Sequence, residues 1–272
     1  MKAVSRASRV RVVSNRALTE HHFLLELEAP EFAAAARPGQ FALIRPDPDA
    51  GDPLLGRPLA VFDADADKGT AAFLYLPTGR GTRLLSRAAP GGEVFLNGPL
   101  GRHFDVSGDE PAIGVAGGTG VAGVHFLLKQ AHSAGRRCVL HLGARTKGLL
   151  VPQEHLAEGL DVEYATDDGS CGLRGTVIDS LLRAFEDGTL DGGEKYFVAG
   201  PIPMMKAAAA LAEERDLRMQ VSLEARMACG VGACRGCIVP AASEHPLYGF
   251  MHRAVCTDGP VFPFREIAWE KL

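Results

Sequence analysis

Apolar and polar positions alternate in short runs through residues 9–106, and turn residues such as Gly and Pro separate the runs. The clearest runs read HHFLLELEA, GQFALIRP, RPLAVFD, TAAFLYLP and GEVFLNGP. Because side chains along a strand point to alternate faces, repeated short runs of this kind predict an antiparallel barrel. One helix is predicted within this region, in GTRLLSRAA, with Thr82 placed to cap its start.

From about residue 109 the pattern changes to a repeat of apolar strand, loop and helix. The predicted strands are PAIGVAG, CVLHLGA, DVEYATD, KYFVAG and MQVSLE. The predicted helices are a segment ending near Ala134, VIDSLLRAFED and PMMKAAAALAEERD. Fully apolar strands that alternate with helices predict a parallel sheet covered on both faces. After Glu224 this periodicity stops, and a glycine-rich segment with clustered cysteines begins.

Composition narrows the class of protein. The chain has 272 residues, 46% of them hydrophobic, so it can form two domains with buried cores and a small appendage. Its net charge is −4, and no Lys/Arg tract interleaves with aromatic residues, so nucleic acid is not an expected partner. The basic N-terminus lacks the apolar run of a signal peptide, and glycines with His125 and Lys129 interrupt the longest apolar region. We therefore expect a soluble cytoplasmic protein that does not contact a membrane.

Four of the six cysteines follow the spacing C-x4-C-x2-C-x18-C. They are Cys229, Cys234, Cys237 and Cys256. This is the plant-type [2Fe-2S] ligand pattern, in which a tight loop wraps one side of the cluster and a later segment closes the other. Gly230, Gly232 and Gly236 suit such a loop, because it needs positive φ values and backbone N–H groups turned toward sulfur.

A structural zinc site with four cysteine ligands is the alternative for these thiols, and free buried thiols are a third. Zinc sites of that kind usually contain two C-x2-C-like pairs, whereas here only Cys234 and Cys237 form one. The iron-sulfur interpretation is therefore favoured. Of the other two cysteines, Cys138 is predicted to be a core residue, and Cys171 to lie near a ligand or to be an exposed thiol.

The segment VAGGTGVAG places Gly118, Gly120 and Gly123 in G-x-G-x-x-G register between a strand and a helix. Glycines in this context let backbone N–H groups approach a pyrophosphate. The motif also requires an acidic residue about twenty positions later, but the sequence there, CVLHLGARTKG, has none. A pyrophosphate-binding turn and a turn that serves only strand-helix packing both remain open. Arg145 fits either a ribose or phosphate contact or a surface position.

A series of motifs, in the expected order along nearly the whole chain, resembles the ferredoxin reductase family. They are RPLA at 57–60, LYL at 74–76, Gly81–Thr82, GPLGRHF, GVAGGTGVAG, TDDGSCGLRGTVID and VAGPIPMMKA. Taken alone, Arg57 also fits a structural ion pair, and Gly81–Thr82 a helix cap. The most specific match is SLEARMACGVGACRGCIVP with VCTDGPVF, because reductases without the cluster lack this segment. With it, the chain most closely resembles the electron-transfer subunits of NAD-dependent (class 1B) dihydroorotate dehydrogenases.

The resemblance implies a six-stranded antiparallel FAD-binding barrel over residues 1–107, a Rossmann-like NAD-binding domain over 108–223 and a [2Fe-2S] domain over 224–272. It implies FAD contacts from Arg57, Pro58, Leu59, Ala60, Leu74, Tyr75, Leu76, Gly81 and Thr82. It implies NAD contacts from Gly117, Gly118, Thr119, Gly120, Gly200 and Pro201. It implies iron ligation by Cys229, Cys234, Cys237 and Cys256. No residue is expected to act as a general acid or base.

The function implied by the resemblance is electron transfer between the FMN of a dihydroorotate-oxidising partner subunit and NAD+, through the cluster and FAD, in pyrimidine biosynthesis. The implied assembly is a two-plus-two heterotetramer. The alternative is a flavin/iron-sulfur subunit of an NADH-dependent ferredoxin:NADP reductase or of a sulfhydrogenase. An alternative of a different class is a nucleotide-binding regulatory protein with a four-cysteine zinc module. Because the ribose-binding acid is missing, the sequence does not distinguish a preference for NAD from a preference for NADP.

Three features depart from the family pattern. Ala60 stands where a Ser is usual, and Ala199 stands where a Cys is common. The gap of 18 residues before Cys256 is longer than expected, so AASEHPLYGFMH is predicted to be an insertion outside the cluster cradle.

Overall fold

The structure is a computed structural model that describes residues 6–47, 49, 51–247 and 249–272. Within these ranges, the N-terminal region forms an antiparallel sheet of seven strands. They are β1 (Arg6–Ala17), β2 (Phe23–Glu28), β3 (Phe41–Arg45), β4 (Arg57–Ala60), β5 (Asp63–Asp65), β6 (Thr70–Tyr75) and β7 (Glu93–Leu100). Their order is β4-β3-β7-β1-β2-β6-β5. Only Val61 and Phe62 separate the two edge strands β4 and β5, so the sheet must curl until its edges approach.

The predicted antiparallel fold of this region is confirmed, with three differences of detail. The strand β5 is additional to the six expected. A helix that was not predicted, α1 (Pro30–Ala35), buries Phe32 against the sheet and is too short to show a helical period. The predicted cap of the next helix is wrong, because α2 (Arg80–Leu85) begins before Thr82 and its N-cap residue is Gly79. The Thr82 hydroxyl accepts a hydrogen bond from the Gly79 N–H at 3.0 Å.

The second region forms the predicted parallel sheet. Its strands are β8 (Ala112–Gly117), β9 (Cys138–Ala144), β10 (Asp161–Thr166), β11 (Leu173–Arg174), β12 (Lys195–Ala199) and β13 (Arg218–Ser222), in the order β11-β10-β9-β8-β12-β13. The helices are α3 (Val121–Ser133), α4 (Val177–Glu186) and α5 (Ile202–Glu214). The strand order reverses between β8 and β12, which is where open sheets of this type form a ligand crevice at the carboxyl ends of their strands.

The C-terminal segment packs against both sheets. It forms an antiparallel pair, β14 (Ile238–Pro240) with β15 (His252–Ala254), and a further strand, β16 (Val261–Pro263), which joins the edge of the parallel sheet beside β13. Its buried residues share one core with Leu43 and Leu100 of the antiparallel sheet. The cysteine segment is therefore anchored to the rest of the fold.

The opposite face of the parallel sheet also packs on the antiparallel sheet. There, α3 and buried residues of the parallel sheet share a core with Phe62, Leu74 and Phe104. The Phe104 ring meets the Phe197 ring edge-on at 5.3 Å. Within the described ranges, no helix is long and apolar enough to cross a bilayer.

Candidate cofactor sites

A glycine turn follows β8 at the point where the strand order reverses. Gly118–Gly120 form a turn of 3₁₀ helix, and α3 begins at the next residue. A Cβ atom on Gly120 would lie 2.1 Å from the carbonyl oxygen of Ala199, so only glycine lets the turn pass this close to β12. Gly118 has a φ of +54°, which is left-handed backbone that favours glycine. The turn thus combines close packing on β12 with a left-handed backbone at the crevice.

A cavity of 840 Å³ opens at this crevice, and we call it the switch-point cavity. All the residues that the resemblance implied for NAD line it: Gly117, Gly118, Thr119, Gly120, Gly200 and Pro201. Arg145 lines it as well, so this arginine is placed for a contact with a ligand. The lining comes from the carboxyl ends of neighbouring parallel strands. These strand ends are far apart in the sequence, so motifs read along the chain do not show that they form one site.

Polar residues that the sequence analysis missed also line the switch-point cavity. Asp167 follows β10, and its N–H donates to the carbonyl oxygen of Ala144 at 3.2 Å, which holds it at the end of the strand that leads to Arg145. An acid therefore reaches the cavity from β10, although the position after β9 has none. His22 is buried there at 2.9 Å from the Thr19 hydroxyl, and burial lowers its pKa to about 4, so the ring is neutral.

A second cavity, of 280 Å³, lies at the mouth of the antiparallel sheet, and we call it the barrel cavity. Most of the residues implied for FAD line it: Pro58, Leu59, Ala60, Leu74, Tyr75, Leu76 and Thr82. They come from β4, from the end of β6 and from α2, which the curled sheet brings together. The Tyr75 hydroxyl donates to the Asn15 side chain at 3.0 Å, and burial raises the pKa of Tyr75 to about 12.

Arg57 and Gly81, the other two residues implied for FAD, form a pair beside this cavity. A Cβ atom on Gly81 would lie 2.3 Å from Cζ of Arg57, so the guanidinium packs on the glycine backbone. Among the described residues, Nη1 of Arg57 is buried without a hydrogen-bond partner, and burial lowers the pKa of this side chain. A buried guanidinium nitrogen without a hydrogen-bond partner is costly, so the site fits an anionic group of a ligand.

Both alanines that depart from the family pattern line the barrel cavity. Ala60 offers no hydroxyl at its position on β4. A Cβ atom on Gly123 would lie 3.0 Å from the Ala199 Cβ, so this third glycine of the motif allows α3 to pack closely on β12. The motif therefore serves both strand-helix packing and the cavity.

The four clustered thiols lie in two pairs. In the cysteine loop, residues 229–237, the N–H of Cys234 donates to Sγ of Cys229 at 3.4 Å. The N–H of Cys256 donates to Sγ of Cys237 at 3.4 Å. The N–H of Gly232 donates to Sγ of Cys256 at 3.2 Å and so links the two pairs. Two ligands for each of two irons suit a binuclear cluster, and N–H groups directed at sulfur are typical of such sites.

The two pairs differ in exposure and in acidity. Cys234 is exposed and Cys229 partly so, whereas Cys237 and Cys256 are each 2% exposed. Burial opposes ionisation of Cys229, but N–H groups of Cys234 and Val231 outweigh it and lower the pKa of this thiol to about 7. Burial, together with the neighbouring Cys237 thiol, raises the pKa of Cys256 to about 12. One pair thus faces outward and the other faces the core.

The loop before Cys256, predicted to be an insertion, is tied to the segment after it. Nε2 of His245 lies 3.3 Å from Oδ1 of Asp258, whose other oxygen accepts the Ala254 N–H at 2.7 Å. The guanidinium of Arg235, in the cysteine loop, lies over the Phe250 ring at 5.1 Å. Tyr248 lies outside the described residues.

The cavities and the cysteine loop adjoin one another. The two cavities share Leu76, Thr119, Gly120 and Glu224. Ala225 and Met227, which lead into the cysteine loop, line the barrel cavity, and a Cβ atom on Gly230 would lie 2.7 Å from Cδ1 of Leu43 on β3. Glu224 is exposed and lines both cavities, and the protein around its carboxyl raises the pKa of this group.

The remaining two cysteines take no part in these sites. Cys138 is buried in β9, as predicted. Cys171 is partly buried and lines neither cavity, but its carbonyl accepts a hydrogen bond from the hydroxyl of Thr166, the residue before Asp167.

Comparison with known families agrees with this arrangement. Residues 224–268 match the model of the iron-sulfur cluster binding domain of dihydroorotate dehydrogenase B. Residues 115–210 match the oxidoreductase NAD-binding domain. The first match contains all four paired cysteines, and the second contains the glycine turn, Arg145 and Asp167.

A solved structure from work on the NADH-dependent reduced ferredoxin-NADP oxidoreductase is similar over the whole chain. It has a TM-score of 0.83 and 28% identity, and the match covers 100% of this chain and 93% of that one. A ferredoxin reductase of carbazole 1,9a-dioxygenase shares the fold, with a TM-score of 0.69, 22% identity, and coverage of 81% of this chain and 70% of that one.

Curated relatives are more similar in sequence. A protein of Desulforamulus reducens is 36% identical over 91% of this chain and 93% of its own, and one of Geobacillus thermodenitrificans is 38% identical over 95% and 97%. Each is named as the electron transfer subunit of dihydroorotate dehydrogenase B (NAD(+)). The chain, with its paired thiols beside two adjoining cavities, therefore belongs to the family of dihydroorotate dehydrogenase B electron transfer subunits.

Proposed function

We propose that this chain moves electrons between the FMN of a dihydroorotate-oxidising partner subunit and NAD+, by way of a [2Fe-2S] cluster and FAD, in pyrimidine biosynthesis. One observation carries the proposal: the switch-point cavity shares lining residues with the barrel cavity, and the barrel cavity is bordered by the segment that leads into the cysteine loop. A dinucleotide, a flavin and a cluster in these places would be neighbours in that order. NAD exchanges two electrons as a hydride, the cluster exchanges single electrons, and a flavin does both.

The barrel cavity would hold FAD. Arg57, with its buried unpaired Nη1 over Gly81, would bind the phosphates. Pro58, Leu59, Ala60, Leu74, Tyr75, Leu76 and Thr82 would enclose the rest of the cofactor. The residues that line the cavity are mainly apolar and would exclude water from the place where the two rings would exchange a hydride.

The switch-point cavity would hold NAD, with its phosphates at Gly117–Gly120 and its nicotinamide toward Gly200 and Pro201. Asp167 supports NAD over NADP, because a carboxylate in the cavity would repel a 2′-phosphate. Neither cavity needs a general acid or base from this chain for hydride exchange, and we assign none.

The cluster would be ligated by Cys229 and Cys234 on one iron and by Cys237 and Cys256 on the other, as their pairing suggests. The exposed pair would form the edge that exchanges electrons with the partner. A reducing cytoplasm would keep these thiols available for iron.

Exposed apolar residues support a docking face for the catalytic subunit around the cysteine loop. Of the nine large hydrophobic residues that are exposed in the described ranges, seven belong to the cysteine loop, its flanks or a loop of the antiparallel sheet beside it: Leu54, Leu55, Val231, Ile238, Leu247, Phe250 and Met251. Leu43 joins the two parts, because Cβ atoms on Gly56 and on Gly230 would lie 2.9 and 2.7 Å from its side chain. Concentrated apolar surface of this kind is typical of a protein interface. We propose that two copies of each subunit assemble there.

The alternative function, a subunit of an NADH-dependent ferredoxin:NADP reductase, has less support. The solved structure of that enzyme class is 28% identical, whereas the curated relatives with the dihydroorotate dehydrogenase name reach 38%. A regulatory protein with a zinc module is disfavoured by the pairing of the thiols and by the match to an iron-sulfur family.

The test uses the chain co-expressed anaerobically with the catalytic subunit. The complex should contain FAD, with about two irons and two sulfides per copy of this chain. Adding dihydroorotate should reduce NAD+, and this reaction should need both subunits. A colourless chain that binds zinc, or a coloured complex that reduces no NAD+ with dihydroorotate, would contradict the proposal.

A further inference from the structure

Glu224 is the one charged residue that lines both the barrel cavity and the switch-point cavity in the described structure. The other residues that the cavities share are Leu76, Thr119 and Gly120, which are uncharged. A hydride passes only between atoms in contact, so a nicotinamide and a flavin have to meet at the boundary between these cavities. The carboxylate of Glu224 therefore stands where the nicotinamide ring would lie.

No other group of the described structure neutralises this carboxylate. It forms no hydrogen bond or ion pair with the described residues, and burial is the one cause of its raised pKa, without a contribution from a charged neighbour. Arg57 and Arg226 line a further cavity of 480 Å³ with Glu224, but neither pairs with it. This unpaired carboxylate therefore attracts a cationic group of a ligand that lies beside it.

The nicotinamide ring changes charge in the reaction: it is a cation in NAD+ and neutral in NADH. A nearby anion attracts the first and not the second, and in a partly desolvated site this attraction is strong. The two forms are otherwise alike in phosphates, ribose and adenine, which contact the rest of the switch-point cavity. A single carboxylate at the boundary is thus sufficient to distinguish them.

We propose that Glu224 sets the preference of this chain for oxidised over reduced nicotinamide, by placing a carboxylate beside the ring at the boundary of the two cavities. This inference rests on the proposed function, because it assumes that NAD occupies the switch-point cavity. The preference favours binding of NAD+ and release of NADH, which suits a chain that passes electrons to NAD+. Glu224 is a specificity-determining residue in this account and donates or accepts no electron.

The test measures dissociation constants by calorimetry on the oxidised chain, loaded with FAD and cluster, at a mildly alkaline pH, well above the ordinary pKa of a carboxyl. The probes are NAD+ and tetrahydro-NAD, whose reduced ring is uncharged and donates no hydride. The ratio of the two constants should fall about tenfold in Glu224→Gln relative to the unmodified chain. Glu224→Asp, which keeps the charge, should keep most of the preference.

The matched control is Asp167→Asn, which removes a carboxylate from the switch-point cavity but not from its boundary. It should change both affinities alike and leave their ratio unaltered. If Glu224→Gln fails to load FAD, Glu224→Ser provides the same neutral site with less bulk and should show the same loss of preference.

An unchanged ratio in a fully loaded neutral variant overturns the inference and leaves the proposed function standing. If instead the unmodified chain binds neither dinucleotide, the assignment of the switch-point cavity fails, and this inference fails with it.

Discussion

The cysteine loop and the boundary between the two cavities differ in how they are exposed. In the loop, Cys234 is exposed, and seven of the nine exposed large apolar residues of the described structure belong to the loop or lie near it. At the boundary, the walls come from three separate segments, and one of the shared lining residues, Gly120, is buried. A single electron has to reach another protein, which favours an exposed site, whereas a hydride has to pass between rings in contact, which favours an enclosed one. Substitutions should therefore separate the two regions.

Cys237→Ser should have the largest effect, because it removes a buried ligand of the proposed cluster. Substitutions of groups that only orient metal ligands cost up to about a hundredfold, so loss of a ligand should lower dihydroorotate-dependent NAD+ reduction by more than about a hundredfold. Bleaching of the flavin by NADH should persist, since it occurs at the other region. Iron analysis and anaerobic absorption spectroscopy measure the two effects, and Cys171→Ser is the control. Equal loss of both reactions would mean that the cluster is structural.

Arg57→Ala should act on the flavin and so on both regions. A hydrogen bond to a charged group contributes about 1.5–3 kcal/mol, which corresponds to a loss of about ten- to a hundredfold in FAD affinity. Flavin content after gel filtration, followed by titration with FAD, measures the change. Arg226→Ala is the matched control, because Arg226 lines the same 480 Å³ cavity but is exposed. If the two variants lose flavin to the same extent, Arg57 has no special role.

Leu247→Asp should weaken binding of the catalytic subunit by about tenfold, a typical cost of removing a well-placed interface residue. Leu247 is 79% exposed, so the substitution should leave the fold intact. Reduction of the flavin by NADH should not change. Binding is measured by titrating the purified subunits, with Val13→Asp, an exposed residue distant in sequence from the cysteine loop, as the control. Equal effects of the two substitutions would place the docking face elsewhere.

Asp167→Ser should have the smallest effect and should act on the cavity region alone. Removing this carboxylate lowers the repulsion of a 2′-phosphate, and Arg145 then attracts it, so the preference for NADH over NADPH in flavin reduction should fall about fivefold. Stopped-flow rates with both dinucleotides measure the preference. A preference that stays the same would remove Asp167 from dinucleotide selection.

The sequence predicted some parts of the sites better than others. The parts that were predicted have their residues close together in the sequence, and the parts that were missed do not. Regular spacing revealed the four cysteines and the glycine turn, because each set of ligands or N–H groups lies mainly in one segment. Asp167 and Glu224 were not recognised, since β10 and β13 approach the turn only through the order of the sheet. An acid close to the carboxyl end of a strand was the available signal: Asp167 follows β10 directly, and Glu224 lies two residues after β13.

Short elements were harder to predict than long ones. The helix α1 and the strands β5 and β16 each have six or fewer residues and carry too few positions to establish a period. The strand β16 also pairs antiparallel with an otherwise parallel sheet, which is a tertiary contact without a local signature. Thr82 was predicted to be the N-cap residue of α2, but it is the third residue of the helix, and its hydroxyl accepts a hydrogen bond from the N–H of the N-cap residue Gly79. A hydroxyl can satisfy a free N–H at the start of a helix from either position, so the sequence did not distinguish them.

The central claim is that a dinucleotide, a flavin and a cluster communicate within this one chain. It is tested most directly by electron paramagnetic resonance of the loaded chain, without its partner, after addition of NADH under anaerobic conditions. The account predicts the signal of a reduced [2Fe-2S] cluster, and predicts its loss when the same chain has been stripped of FAD. A flavin that bleaches while the cluster stays oxidised, or a cluster that NADH reduces equally well without FAD, would contradict it.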